Sequence, residues 1–144
     1  MLKQTLVMTA IFCCMFAVTY VKGTANGNPN TRIKRYGSVI MVKPEMIEIY
    51  KRLHADAWPG VLNKIRECNI RNYSIYLKEI EPGKHYLFSY FEYIGTDFAS
   101  DMAKMAADPV TQEWWKNTDP CQMPIPNREE GEWWANMEEV FHCD

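Results

Sequence analysis

The chain has no cluster of basic residues. Its 16 Lys and Arg are interspersed with 18 Asp and Glu, for a net charge of −2. Phosphate backbones are gripped by grouped cations, so nucleic acid is not an expected partner. Internal repeats and low-complexity tracts are absent. So are a G-x-G-x-x-G or phosphate-loop pattern, an H-E-x-x-H or comparable metal spacing, and a G-x-S-x-G elbow. Nucleotide, metallohydrolase and serine-hydrolase chemistry therefore lack their usual signatures. Cysteine is sparse and unpatterned. Cys13 and Cys14 lie in an N-terminal apolar run, leaving Cys68, Cys121 and Cys143. Three cysteines without C-x-x-C spacing indicate neither a zinc site nor a disulfide framework. One disulfide plus one thiol, or three unpaired thiols, both fit the count.

The first 23 of the 144 residues read MLKQTLVMTAIFCCMFAVTYVKG. Lys3 gives a charged start, Thr5 to Val21 are nearly apolar, and Lys22-Gly23 leads into the polar TANGNPNTR. This is the pattern of a secretory signal peptide. The apolar run is slightly short of the ~20 residues that span a bilayer, which favours a cleaved leader over an anchor. The expected location is secreted or periplasmic, with membrane attachment only if the leader is retained. Residues 24–34 read as a linker and 35–144 as one domain. Five Trp, eight Tyr and six Phe in the chain supply a compact core at this size.

From Arg35, Tyr36, Ser38, Ile40 and Val42 share one face of a strand, with Val39 and Met41 on the other. Pro44 opens a helix, where its missing N–H costs nothing. Met46, Ile49, Leu53 and Ala57 form the core-facing stripe of that helix, with Tyr50 and His54 flanking it. Pro59 disfavours helical geometry at Trp58, so a bend and a new helical stretch from Gly60 to Glu67 are expected. Residues 69–79 and HYLFSYFEYI form an antiparallel hairpin about Glu81-Pro82-Gly83-Lys84. Thr96 or Asp97 caps a helix whose stripe is Phe98, Met102, Met105 and Ala106, and Asp108-Pro109 starts a short helix carrying EWWKN. A Pro-rich loop (118–131) and a closing strand in WWANMEEVFHCD end the chain. The order is that of an α+β, ferredoxin-like βαββαβ fold. Its helices cover one sheet face. The other, lined by aromatics, is most simply covered by a second copy, which predicts a homodimer.

Three features bear on chemistry. Tyr50 and His54 lie one helical turn apart on the same side. His54 titrates near neutrality and suits proton transfer, although taken alone this helix fits a rim histidine as well. Trp114-Trp115 offers flat apolar surface and two N–H donors, which suit the C–H faces and polar edges of sugars; core packing is the competing reading for one of the pair. Tyr73 shares a strand face with Arg71, Ile75 and Leu77, as a core tyrosine does, and its hydroxyl is still able to enter a pocket. Trp133-Trp134 is expected to pack within the last strand.

Four segments together resemble the L-rhamnose mutarotase family: YKRLHADAWPG, RNYSIYL, DPVTQEWWKN and the late EEVF. Their order and approximate spacing cover residues 35–142. The resemblance implies a dimeric α/β barrel and a cofactor-free carbohydrate isomerase acting on a 6-deoxy-hexopyranose. It implies His54 as proton donor and Tyr50, Tyr73, Trp114 and Trp115 as sugar contacts, with no metal. The chain departs from the family pattern at Asp56 and at Gly60, where an acidic residue is usual. The same barrel also hosts haem-handling proteins and small monooxygenases, in which His54 becomes an iron ligand. A secreted sugar-binding module without turnover is the third reading.

Overall fold

The computed structural model describes residues 33–143. The predicted leader and most of the linker lie outside the described residues. Strand β1 (Lys34–Val42) already includes the residue expected to end the linker, and Lys34 pairs with Tyr93. β1 runs antiparallel to β3 (Lys84–Tyr93), and β3 runs antiparallel to β2 (Ile70–Glu81). The other edge of β1 is taken by two short antiparallel pieces, β4 (Gln122–Met123) and β5 (Ala135–Met137). The strand order β2-β3-β1-β4 is that of the expected βαββαβ arrangement. The closing strand is shorter than predicted. Only three residues of WWANMEEVFHCD join the sheet, and β4 falls inside the predicted loop. Pro124 and Pro126 follow β4 directly and have no N–H to continue a ladder, so pairing stops and resumes at Ala135. Trp133 and Trp134 precede β5 rather than lie within it.

Alternation along β1 and β3 sorts the sheet into two faces. Ile40, Val42 and Leu87, with Tyr50 and Cys121, form a buried cluster, and Met46, Ile47, Leu53, Ile75 and Trp134 pack against it. The cross-strand partners Val39–Phe88 and Met41–Tyr86 point the other way. Among the described residues no helix lies on that second face, and Tyr76, Ile80, Met123 and Met137 stay exposed.

Helix α1 (Ile47–Ala55) follows a 3-10 turn at Pro44–Met46. Of the predicted stripe, Met46 and Leu53 pack against the core cluster, whereas Tyr50 takes the inward place expected of Ile49. Tyr50 is 5 % exposed, whereas Ile49 is 37 % exposed, and Ala57 lies beyond the helix end. Trp58 is extended, as a residue before proline prefers, and Pro59 starts α2 (Pro59–Glu67). Helix α3 (Phe98–Ala107) is capped by the Asp97 carboxylate, which accepts from the Ser100 N–H. Asp108 caps α4 (Pro109–Thr118) in the same way, accepting from Thr111. A second 3-10 turn, Asp119–Cys121, joins α4 to β4. Cys68 and Cys121 are buried, Cys143 is exposed, and the described residues form no disulfide.

Two local contacts set helix positions. A Cβ at Gly60 would lie 2.9 Å from Val110 Cγ1, so the absent side chain lets the start of α2 approach the start of α4. Asp101 is 5 % exposed and accepts hydrogen bonds from Asn69 Nδ2 (2.8 Å), Tyr93 Oη (2.7 Å) and Lys104 Nζ (2.9 Å). It ties α3 to β3 and to the turn after α2, where Asn69 adopts φ 60°.

Replacing Gly60 by Glu is expected to cost about 1–3 kcal/mol through overpacking, and Val110→Ala in the same chain recovers part of that loss. Urea denaturation of the two single variants and the double variant measures the coupling. A second prediction concerns acid. The Asn69 amide, then the Tyr93 hydroxyl and the Lys104 ammonium, hold the Asp101 carboxyl down from 3.8 to about 2. Its contribution is therefore complete above 3.8 and is lost as pH falls towards 2. Asp101→Asn is expected to destabilise the protein by about 1–3 kcal/mol at neutral pH and to flatten the acid limb of its stability curve.

Candidate active site

The site grows from one turn of α1. Tyr50 points into the core, and the His54 ring lies against it, with centroids 4.1 Å apart. His54 Nδ1 lies 2.9 Å from the Tyr50 carbonyl oxygen. A carbonyl only accepts, so Nδ1 carries the hydrogen and Nε2 is left for other chemistry. Helix α4 closes the other side. Trp114, 6 % exposed, meets the His54 ring edge-on at 5.3 Å and Trp58 at 5.4 Å. The bend that Pro59 enforces thus places Trp58 behind Trp114. Thr111, Trp114 and Thr118 make the buried face of α4, at the spacing of one helical stripe.

Tyr73 comes from β2, where the register slips between Arg71 and Ser74 and Asn72 takes φ 50°. This bulge changes the predicted face. Arg71 pairs with Glu92 and Ile75 with Ser89, so the two lie on opposite sides of the sheet. Tyr73 packs edge-on against Phe91 at 5.6 Å. Its surface is 44 % exposed, yet burial around its hydroxyl pushes that group up to about 12. Tyr50 is raised further, first by burial and then by the field of Tyr73, with a hydrogen-bonding contribution from Gln122 in the opposite sense. Tyr50 and Tyr73 are thus coupled electrostatically, with Gln122 also acting on Tyr50. Both remain protonated near neutral pH, which makes them hydrogen-bond donors and poor bases. Gln122 Oε1 in turn accepts from Trp133 Nε1 at 2.7 Å.

His54 is lowered from 6.5 by burial, with its bond to the Tyr50 carbonyl acting in the opposite sense. Near neutral pH the ring is mostly neutral, with Nε2 able to accept. Tyr50, His54 and Trp114 are thus brought into direct contact, and Tyr73 is joined to them through Tyr50. Trp115 is set apart. It is 37 % exposed and makes no ring contact with the cluster among the described residues. Sequence reasoning assigned no role to Gln122 or Asp119 and treated Trp58 only as part of a bend. Gln122 follows a proline-containing loop, and no local pattern marks it as a partner for a tyrosine on α1. Trp58 was legible, because Trp-Pro beside a helix end fixes where that ring goes.

Residues 35–143 match the model of the L-rhamnose mutarotase family. This chain belongs to that family. The L-rhamnose mutarotase of Bacillus subtilis (strain 168) is 32 % identical over 112 residues, covering 78 % of this chain and all of that protein. The L-rhamnose mutarotase of Oceanobacillus iheyensis is 29 % identical over the same length, with the same coverage of both chains. Among solved structures, the L-rhamnose mutarotase of Formosa agariphila superposes with a TM-score of 0.57 at 19 % identity, covering 77 % of this chain and 99 % of that one. The tetracenomycin F2 cyclase of Streptomyces glaucescens shares the fold at a TM-score of 0.55 and 14 % identity, over 77 % of this chain and 97 % of that one. In this member of the mutarotase family, the described residues hold no group of three or more His, Cys, Asp or Glu side chains arranged as metal ligands.

NMR titration of the His54 ring protons is expected to give a midpoint below 6.5. The unfolded chain takes up this proton at 6.5 and the folded chain only at lower pH. The contribution of His54 to stability is therefore complete above 6.5 and is lost as pH falls. A midpoint at or above 6.5 contradicts the packed, neutral ring.

Proposed function

We propose that this protein is a carbohydrate isomerase of the L-rhamnose mutarotase type, interconverting the α and β anomers of a 6-deoxy-hexopyranose without a cofactor. The observation that carries this reading is the Tyr50–His54–Trp114 contact in a chain of this family. Exchange of anomers needs the pyranose ring opened and reclosed. A proton must reach the ring oxygen as its bond to C1 breaks, and the C1 hydroxyl must lose one as the aldehyde forms. After rotation about C1–C2, closure reverses these transfers. His54 supplies the proton donor in its protonated form. The Tyr50 and Tyr73 hydroxyls, held protonated, orient sugar oxygens. Trp114 fixes the His54 ring edge-on, and Trp115 offers the more open indole face to the sugar. Family membership favours this reaction over iron ligation by His54 and over binding without turnover.

The uncovered sheet face with Tyr76, Ile80, Met123 and Met137 supports a homodimer in which two sheets pack face to face. The apolar leader supports a secreted or periplasmic location.

Saturation-transfer NMR on L-rhamnose follows exchange between the α and β anomers directly. The wild-type protein is expected to exchange them well above the buffer rate, and His54→Ala to lose ~10²–10⁴-fold of that acceleration. A wild-type protein no faster than buffer contradicts the reading.

A further inference from the structure

Ring opening needs two proton-transfer groups, and the site described above supplies one. The tyrosines are held protonated, so neither serves as the second. One more ionisable side chain lies on a turn that packs against α1, the helix of Tyr50 and His54. Asp119 begins the 3-10 turn that follows α4, five residues after Trp114. That turn packs against α1 and is clamped to the end of β1: Lys43 N–H donates to Cys121 O at 2.9 Å, and Lys43 Nζ donates to Pro120 O at 2.7 Å. The clamp holds the backbone and leaves the Asp119 carboxylate uncommitted. It has no hydrogen bond or ion pair among the described residues. It is partly buried and close enough to Tyr50 to act on its hydroxyl, as Tyr73 and Cys121 also do. Its neighbours here are the groups assigned to the sugar.

We infer that Asp119 is the second proton-transfer residue of the reaction, acting on whichever of the two C1-linked oxygens His54 does not serve. This rests on the mutarotase reading. On ring opening, the C1–O5 bond breaks with its electron pair moving to the ring oxygen, which takes a proton from one residue. The C1 hydroxyl gives its proton to the other as C1=O forms. Closure on the opposite face returns both protons, so no oxidant or further reactant is needed. Burial raises the Asp119 carboxyl to about 6, while burial lowers His54. Burial thus moves the carboxylate upward and the imidazole downward, towards one another. Protonated His54 with ionised Asp119 holds as many protons as the reverse arrangement, so both predict the same pH profile. The titratable groups that act on Tyr50 alongside Asp119 are Tyr73 and Cys121, and the ammonium of Lys43 is engaged by the Pro120 carbonyl of the same turn.

The test is anomer exchange of L-rhamnose by saturation-transfer NMR, run against pH for the wild type, Asp119→Asn and Asp119→Ala. The wild type is expected to give a bell-shaped profile. Asp119→Asn is expected to fall ~10²-fold or more, with the bell reduced to the single limb of His54. Added formate is expected to restore part of the exchange in Asp119→Ala and none in Asp119→Asn, where the amide still fills the space. The proposal is overturned if Asp119→Asn loses less than about threefold, well under the usual range for acid–base help. It is also overturned if activity falls with both limbs retained and no formate rescue, which marks a structural role. A wild-type chain that does not exchange anomers instead removes the mutarotase reading itself, so the two failures are distinct.

Discussion

Burial of the Tyr50 side chain is the constraint on which the site depends. Its ring completes a cluster with Ile40, Val42, Leu87 and Cys121, so it belongs to the core of the sheet as much as to the pocket. Fixing that ring fixes the carbonyl one turn below His54, and that carbonyl holds Nδ1. Trp114 then meets the far edge of His54, and Trp58 backs Trp114. Each group is positioned by packing rather than by a flexible loop. Proton transfer gains from this, because misplacing a reacting group by an ångström costs heavily in rate.

The same burial divides the labour among the ionisable groups. Tyrosine hydroxyls taken out of water keep their protons, an imidazole loses its own more readily, and a carboxylate retains one at higher pH. One physical cause thus yields two hydrogen-bond donors, an imidazole shifted downward and a carboxylate shifted upward. That is sufficient for opening and closing a hemiacetal, a reaction with no net redox change.

Much of the fold was legible because punctuation residues act locally. Pro44, Pro59 and Pro109 start helical turns, Asp97 and Asp108 cap them, and Pro82-Gly83 turns the hairpin. What was misread depended on phase or on distant partners. Tyr50 rather than Ile49 fills the core, and one extra residue in β2 put Arg71 and Ile75 on opposite faces. Neither leaves a clear mark in a hydrophobic pattern. In the candidate site, His54 and Trp114 were legible as candidates through helical spacing and family resemblance. Gln122 and Asp119 were not, because they sit on a turn and a two-residue strand that meet α1 only in three dimensions.

The central claim is that one end of a sugar is held between α1 and the turn after α4, with His54 at its C1 centre. A crystal structure with L-rhamnose bound tests it most directly. The account predicts His54 Nε2 within hydrogen-bonding reach of the ring oxygen or the C1 hydroxyl, with a tyrosine hydroxyl on the remaining oxygens. A sugar bound with C1 turned away from His54, or seated outside the α1–α4 cleft, would contradict it.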